Sequence, residues 1–301
     1  MNIFSFDCTR AALVAVALPS LLVASTLGKT NDGPAVVELT PTVLVFATSS
    51  GNVVASVGPD GALLVGTPSV TSTPSIDRVI SQRTESRRRY VVIFPELLGR
   101  SQGDAGWTSR GAFVAMQENE VRRLGGDKMG APGPLPSAFS AIGVRRPLIS
   151  FSEVIAFDLN GEAIHVVHQA PGFSDADAVA HFHVANVVYL GEAFPGDGYP
   201  RIDAAQGGTL KGLIDELNPW TGNDVRVVPA RGRVTDGATV KAFRAMIVTV
   251  TDRVRNMIRE GKTEPAILAV HPTRDFDARW GHGRTPAKEF VGEVYRALVS
   301  R

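Results

Sequence analysis

The chain has 301 residues, with 31 Lys and Arg residues against 30 Asp and Glu residues, so its formal net charge at pH 7 is +1. This balance excludes a strongly basic nucleic-acid-binding protein and an acidic disordered protein, and the single Cys excludes a disulfide scaffold. The composition, 44% hydrophobic and 20% charged, predicts a globular protein, and six His and one Cys supply few ligands for a transition metal.

The first 25 residues have the pattern of a secretory signal peptide. One basic residue, Arg10, precedes an apolar run at residues 11–18, Pro19 interrupts the run, and small residues follow near Ser25. The run is shorter than the roughly 20 apolar residues of a transmembrane helix. We therefore predict a signal peptide at residues 1–25 and an exported protein, periplasmic or extracellular, with no stable membrane span after cleavage. An uncleaved anchor and a buried first helix are the alternatives.

Strand signals open the body of the chain. Residues 43–46 and 52–57 are β-branched runs, and residues 58–61, Gly-Pro-Asp-Gly, predict a tight turn into a third run at residues 62–65. A further strand is predicted at residues 90–94. These runs indicate a sheet that begins with an antiparallel hairpin.

A Gly- and Pro-rich stretch at residues 125–137 predicts a loop within the domain, and a second group of strands follows it. The dipeptide Asn160-Gly161 separates two apolar runs and is typical of a β-hairpin turn. Shorter strands are predicted at residues 178–182, 187–190 and 225–228.

Helical patterns dominate the C-terminal part. A helix at residues 209–217 ends before Pro219, and a long amphipathic helix is predicted at residues 238–260 from apolar residues spaced three and four apart. A last helix begins at Thr285 and Pro286, an N-cap followed by proline at the first helical position. Each half therefore has strands followed by helices, which predicts an α/β fold of two sheets sandwiched between helices.

Several segments, in chain order, carry a resemblance to one family. Residues 52–65 resemble an opening hairpin, residues 167–182 a metal motif usually written AHTDGD, and residues 185–192 a strand that ends in Gly-Asp. Together with residues 199–203 and 272–277, they resemble the metallo-β-lactamase-fold hydrolases of the exported type. The resemblance covers residues 36–301. It implies a single αββα domain with two mainly antiparallel or mixed β-sheets between helices.

The resemblance also implies where metal ions would bind. Family members hold two metal ions, usually zinc, through an HxHxDH motif, a later His, a bridging Asp and a final His. In this chain those positions fall on Pro95, Leu97, Gly99, Arg100, Phe173, Glu192 and Arg231. Only Glu192 keeps an oxygen ligand, whereas a catalytic zinc takes about three protein ligands. The sequence therefore predicts that the dizinc site is lost, and we expect no metal and no other cofactor.

The substituted positions suggest a replacement for the metal ions. In the resembled fold they converge at one edge of the sandwich, which leads us to expect a cleft with the polar residues Arg100, Asp175, Asp177, Glu192 and Arg231. Because a guanidinium binds a carboxylate through two hydrogen bonds, we hypothesise that arginines take the place of the metal cations. The alternative is that both arginines point into solvent.

Two functions follow from this reading. The first is a non-hydrolytic binding or interaction protein, a pseudo-hydrolase, with an Arg-lined cleft for a small anionic ligand and no nucleic-acid partner. The alternative is a hydrolase of the superfamily that acts on an ester, lactam or similar substrate through an altered metal site, such as Mg²⁺ held by Glu192, Asp175 and Asp177.

Three local patterns imitate catalytic motifs without their usual context. Ser101 is the centre of a GxSxG sequence, but residues 95–98 separate it from the preceding strand, whereas a nucleophile elbow follows its strand directly. His181 and His183 form an HxH pair with no ligand pair after it. The Gly-His-Gly at His282 imitates the final GHG turn of the family, but it lies beyond the long helix.

Overall fold

The computed structural model describes residues 34–66, 71–94, 105–125, 137–141, 144, 148–222 and 224–299. The predicted signal peptide at residues 1–25 lies outside these ranges, as does most of the loop predicted at residues 125–137. Ser101 and four of the positions in the first metal motif also lie outside them.

The first sheet, sheet A, has its strands in chain order, β1-β2-β3-β4-β5-β6-β7. Pairing is antiparallel from β1 to β4 and parallel from β4 to β7. The strands are β1 Ala35–Glu38, β2 Val43–Ala47, β3 Asn52–Gly58, β4 Gly61–Val65, β5 Arg89–Ile93, β6 Phe113–Gln117 and β7 Leu148–Phe151.

The second sheet, sheet B, has the order β13-β12-β11-β10-β9-β8. Only the pairing of β11 with β12 is parallel within this sheet as described. The strands are β8 Val154–Leu159, β9 Glu162–His168, β10 Ala178–Phe182, β11 Val187–Tyr189, β12 Arg226–Val228 and β13 Thr235–Asp236.

Helices cover the outer face of each sheet. Sheet A packs against α1 Thr73–Ser81, α2 Ala105–Thr108, α3 Glu118–Arg123 and α4 Ser137–Ala141. Sheet B packs against α5 Leu210–Leu217, α6 Gly237–Arg259, α7 Glu264–Val270, α8 Asp277–Trp280 and α9 Ala287–Val299. The layers therefore follow each other as helix, sheet, sheet and helix, which confirms the predicted αββα class.

Alternation along the strands of sheet B builds the layer between the sheets. In β9, Ile164 and Val166 are buried against sheet A, while His165 points to the opposite face and is exposed. Phe182 of β10 joins the same buried layer. Successive side chains of a strand point to opposite faces, so one strand supplies both the inner core and the outer surface.

The predicted hairpin turns are present, and one of them joins the two sheets. Asn160 and Gly161 both have positive φ angles, 57° and 73°, which an Asn-Gly turn tolerates. Asp60, in the turn of the first hairpin, donates its backbone N–H to Asn160 Oδ1 at 3.0 Å. Asn160 Nδ2 donates to Ser56 Oγ at 3.1 Å.

Helix α6 is the main cover of sheet B. It begins at the N-cap Asp236, whose carboxylate accepts the backbone N–H of Thr239 at 2.8 Å. Its buried face includes Phe243, whose ring lies 5.1 Å from that of Phe194 and 5.0 Å from that of Trp280, both edge-on. The predicted amphipathic stripe is therefore the core-facing side of this helix.

A buried amide ties sheet A to the loop after β12. Asn52 Nδ2 donates to the carbonyl oxygens of Pro229 and Gly232, at 2.9 and 3.0 Å, and the Asn52 backbone N–H donates to Ala230 O at 2.8 Å. Gly51 has φ 150°, and a Cβ on it would lie 2.8 Å from Ala230 O. This close approach fixes the loop that carries Arg231.

Within the described ranges, none of the helices combines the length and apolar character that crossing a bilayer requires.

Replacement of Phe243 by Ala tests the packing of α6 on sheet B. We expect the free energy of unfolding to fall by about 3–5 kcal/mol, because a fully buried aromatic ring is removed from the core. Lys241→Ala, on the exposed side of the same helix, is the control and changes it by no more than about 0.5 kcal/mol. Urea denaturation measures both, and equal values would contradict this packing.

Candidate functional site

Two parallel strands of sheet B bring the central charged residues to one edge. Strand β11 leads into a 3-10 turn, Gly191–Ala193, that carries Glu192. Strand β12 pairs with β11 in parallel and leads into residues 229–232, which carry Arg231. Because parallel strands end at the same edge of a sheet, the side chains that follow them meet there.

Arg231 and Glu192 form an ion pair with two parallel contacts. Arg231 Nη2 lies 2.6 Å from Glu192 Oε1, and Nη1 donates to Oε2 at 3.0 Å. The two side chains are only 17% and 13% exposed. This bidentate, largely desolvated geometry is the strong form of the guanidinium–carboxylate interaction. The wall of the site therefore carries a fixed cation and a fixed anion in contact.

The predicted metal positions that the structure describes do not fit zinc. Phe173 is buried and has no donor atom, and the carboxylate of Glu192 is taken by Arg231. Among the described residues, no group of three or more His, Cys, Asp or Glu side chains is arranged to hold a metal ion. The remaining positions of the predicted set lie outside the described residues: Pro95, Leu97, Gly99 and Arg100.

Asp177 holds the loop at residues 172–177 in shape. Its carboxylate accepts the backbone N–H groups of Gly172, Phe173 and Ser174 at 3.1, 2.6 and 3.0 Å, and the Ser174 hydroxyl at 2.8 Å. Burial nevertheless raises its pKa to about 6, because desolvation outweighs these hydrogen bonds. Asp177 therefore has its oxygens committed to the loop.

Asp175 pairs with Arg123 of α3. Its carboxylate accepts both Nη1 and Nη2 of Arg123, at 2.7 and 2.8 Å, and its backbone carbonyl accepts Asn119 Nδ2 at 2.7 Å. The structure thus places Asp175 in an ion pair with α3. Arg231 contacts Glu192, and Glu192 and Asp177 line one small cavity, whose lining does not include Asp175.

Sequence reasoning missed Glu216 of α5. Its carboxyl group is buried beside that of Asp177, and neither oxygen accepts a hydrogen bond from a described donor. Burial first, and then the proximity of Asp177, raise the pKa of Glu216 well above its ordinary value. Burial beside Asp177 therefore favours the protonated form of Glu216. The sequence pattern could have identified Glu216 as a buried acid, because it lies between Leu213 and Leu217 on the apolar side of the helix.

These acids border a small cavity. Asp177, Glu192 and Glu216 line it together with Phe94 and Tyr189, whose rings contact each other edge-on at 5.2 Å. Its volume of about 10 Å³ is close to that of a single water-sized sphere. The interior side of Glu192 is therefore too confined for an organic ligand.

A larger cavity of about 360 Å³ opens on the other side of the ion pair. Its cationic lining comprises Arg201, Arg231 and Arg284, with His282 beside them, and its carboxylates are Glu192 and Asp197. Hydroxyl groups add further donors at Thr48, Ser49 and Thr285.

His282 lines this cavity, although its Gly-His-Gly segment lies beyond the long helix in the sequence. Gly283 packs on Gly198 so closely that a Cβ on Gly283 would lie 2.2 Å from Gly198 Cα. This backbone contact brings the Gly-His-Gly segment to the rim of the cavity beside Arg231, although 51 residues of sequence separate His282 from Arg231.

The structure is similar to solved structures of metallo-β-lactamase-fold enzymes. The inverting sec-alkylsulfatase Pisa1 from Pseudomonas sp. is 14% identical with a TM-score of 0.62, over 88% of this chain and 50% of that one. The metallo-β-lactamase from Pontibacter korlensis is 13% identical with a TM-score of 0.52, over 71% of this chain and 98% of that one. The DIM-1 metallo-β-lactamase is 12% identical with a TM-score of 0.53, over 72% of this chain and 97% of that one.

These likenesses confirm the metallo-β-lactamase fold predicted from the sequence. This chain spans about half the length of the alkylsulfatase. Protein-family models were searched without a match, and so were curated proteins.

A double-mutant cycle tests the ion pair. Arg231→Met alone leaves a mostly buried carboxylate without its cation and should lower the free energy of unfolding by about 3 kcal/mol. Combined with Glu192→Leu, the loss should shrink, because no uncompensated charge is left. Urea denaturation at neutral pH measures both single variants and the double variant, and additive losses would mean that the two side chains are not coupled.

Glu216 makes stability depend on pH. The unfolded chain ionises this group near pH 4.5, whereas the folded protein keeps it protonated, so folding loses stability as the pH rises above that value. Relative to wild type, Glu216→Gln should therefore become more stable from pH 5 to pH 8, by up to about 1.4 kcal/mol per pH unit. Urea denaturation at several pH values measures this, with the exposed Glu85→Gln as control. Parallel curves would contradict a protonated Glu216.

Proposed function

We propose that this protein is a non-hydrolytic pseudo-hydrolase of the metallo-β-lactamase superfamily that binds a small organic anion beside Arg231, without zinc. The observation that carries the proposal is the bidentate Arg231–Glu192 pair. It places a permanent cation against the carboxylate that the family resemblance assigns to the metal site. A guanidinium needs no deprotonation and no bound metal to supply positive charge.

The charges around the larger cavity support an anionic ligand. Glu192 is engaged by Arg231, and Arg201 lies 3.3 Å from Asp203 with its guanidinium 5.7 Å from the Phe173 ring centre. Arg284 forms no ion pair with any residue that the structure describes. Positive charge therefore remains available at the rim. A volume of about 360 Å³ is at the small end of ligand pockets.

The alternative, a hydrolase with an altered metal site, has less support. The similar solved structures are enzymes, but a shared fold carries no chemistry by itself. A Mg²⁺ site built from Glu192, Asp175 and Asp177 would need three carboxylates that face one point. Asp175 instead pairs with Arg123, and Asp177 holds its own loop. Binding without hydrolysis is therefore the function that this geometry favours.

We also propose that the protein acts outside the cytoplasm, on the strength of the signal pattern at residues 1–25. N-terminal sequencing of protein recovered from the producing cells tests this, and cleavage near Ser25 is the expected result.

Titration calorimetry with phenyl phosphate tests the anion site. We expect saturable binding that Arg284→Gln weakens about fivefold, since one exposed charge contact is removed. The control Arg274→Gln changes an exposed arginine outside this cavity and should leave the affinity unchanged.

Metal analysis of the same purified protein, with turnover assays on an ester, a lactam and a sulfate ester, tests the absence of hydrolysis. Stoichiometric zinc together with turnover would overturn the proposal in favour of the hydrolase. Phenyl phosphate binding that is the same in Arg284→Gln as in wild type would overturn the choice of cavity.

A further inference from the structure

A separate and larger cavity of about 850 Å³ lies in the helical layer over sheet B. It is bordered by α5, α6 and α9 and by the segment before α5. It shares no lining residue with the cavity beside Arg231. We call it the helical groove, and nothing in the proposed function uses it.

The inner surface of the helical groove is apolar. The apolar side chains come from three parts of the chain. Leu210 and Ile214 belong to α5, Ala297 and Leu298 to the last turns of α9, and Ile202 to the segment before α5. Ligand pockets are lined mainly by apolar side chains, with a small number of polar groups at defined positions. The groove therefore offers a ligand a surface on which to bury hydrocarbon.

Three cationic side chains line the same groove and extend into solvent. The exposed fractions are 79% for Lys211, 40% for Arg255 and 58% for Arg296. Each side chain forms an ion pair with an acidic residue that does not line the groove: Asp215, Asp252 and Glu264. Exposed ion pairs of this kind contribute little stability, so an anionic ligand can compete for these cations at the margin of the groove.

Glu293 is the one carboxyl group among the residues that line the groove. Its carboxylate accepts the backbone N–H of Ile202 at 2.8 Å, and burial raises its pKa to about 7. Glu289 raises the pKa further, whereas Arg201 and Arg296 oppose the shift. Glu293 is therefore about half protonated at neutral pH, which reduces the negative charge among the lining residues of the groove.

We propose that the helical groove binds single-chain amphiphiles with an anionic head group, of which a long-chain carboxylate is the simplest. The hydrocarbon chain lies on the apolar residues, and the head group meets the cations at the margin. The apolar residues and the cations together favour this class of ligand. A neutral lipid would make no charge contact with the cations, and a small polar anion would not cover the apolar residues. This inference is independent of the anion site beside Arg231.

Fluorescence titration of the full chain with cis-parinarate, a fluorescent long-chain carboxylate, tests the proposal. We expect saturable binding, and we expect the neutral methyl ester of the same probe to bind about tenfold more weakly. Affinity for the carboxylate should rise from pH 8 to pH 6, because Glu293 becomes neutral over that range, and Glu293→Gln should remove this dependence.

Variants of the groove locate the binding site. Arg255→Gln combined with Arg296→Gln should weaken cis-parinarate binding about tenfold, since two exposed charge contacts are lost, whereas Lys241→Gln, elsewhere on α6, should not. Ala297→Trp fills the groove and should abolish binding. Ala204→Trp, at an exposed lining position outside α5, α6 and α9, should also abolish binding and serves as the test if Ala297→Trp fails to fold.

Further measurements decide between occupants. Arg284→Gln should leave cis-parinarate binding unchanged, which separates this groove from the proposed anion site. Equal affinity for the acid and its ester, or no binding to the full chain, would overturn the proposal. Binding that appears only after residues 1–25 are deleted would overturn it too, since that segment of the chain would then be the occupant. If cis-parinarate is displaced when the protein self-associates at high concentration, the proposal is overturned, because a second copy of the chain then occupies the helical groove.

Discussion

The paired charges of Arg231 and Glu192 are the interaction around which the candidate site is arranged. Two parallel strands deliver them to the same edge of sheet B, and the Asn52 amide holds the loop of Arg231 against sheet A. Taking two charges out of water is costly, and close bidentate contact offsets that cost only while both partners are present. Loss of either side chain would therefore leave a mostly buried charge without its partner in the cavity wall.

The two sides of Glu192 differ in electrostatic character. On the inner side, Asp177 and Glu216 are buried together, and burial raises the pKa of both carboxyl groups, which favours their protonated forms. On the other side, arginines line the larger cavity. One side of Glu192 therefore carries buried acids and a tightly held loop, while the other carries the arginines on which the proposed anion site rests.

Much of the architecture could be predicted from local patterns. The Asn160-Gly161 hairpin and the amphipathic α6 depend on turn chemistry and on helical periodicity, which operate over a few residues, and both are present. The site was less predictable. Glu216 could have been noticed as an acid on an apolar helix face, but its partner Asp177 is 39 residues away in the sequence. The ion pair of Asp175 depends on Arg123 in a different layer.

The amino-acid sequence by itself determined the fold class and the chemistry of the side chains, because hydrophobic periodicity and turn residues act locally and the identity of a side chain needs no coordinates. It also determined that Phe173 and Arg231 carry no ligand for zinc. Only the tertiary structure decided which charges meet. Arg231 contacts Glu192 while Asp175 does not, His282 reaches the cavity through the Gly198–Gly283 contact, and helices distant in sequence enclose the helical groove. Such neighbours are set by how the strands and helices pack, and a charge has its effect only over the few ångströms that packing establishes.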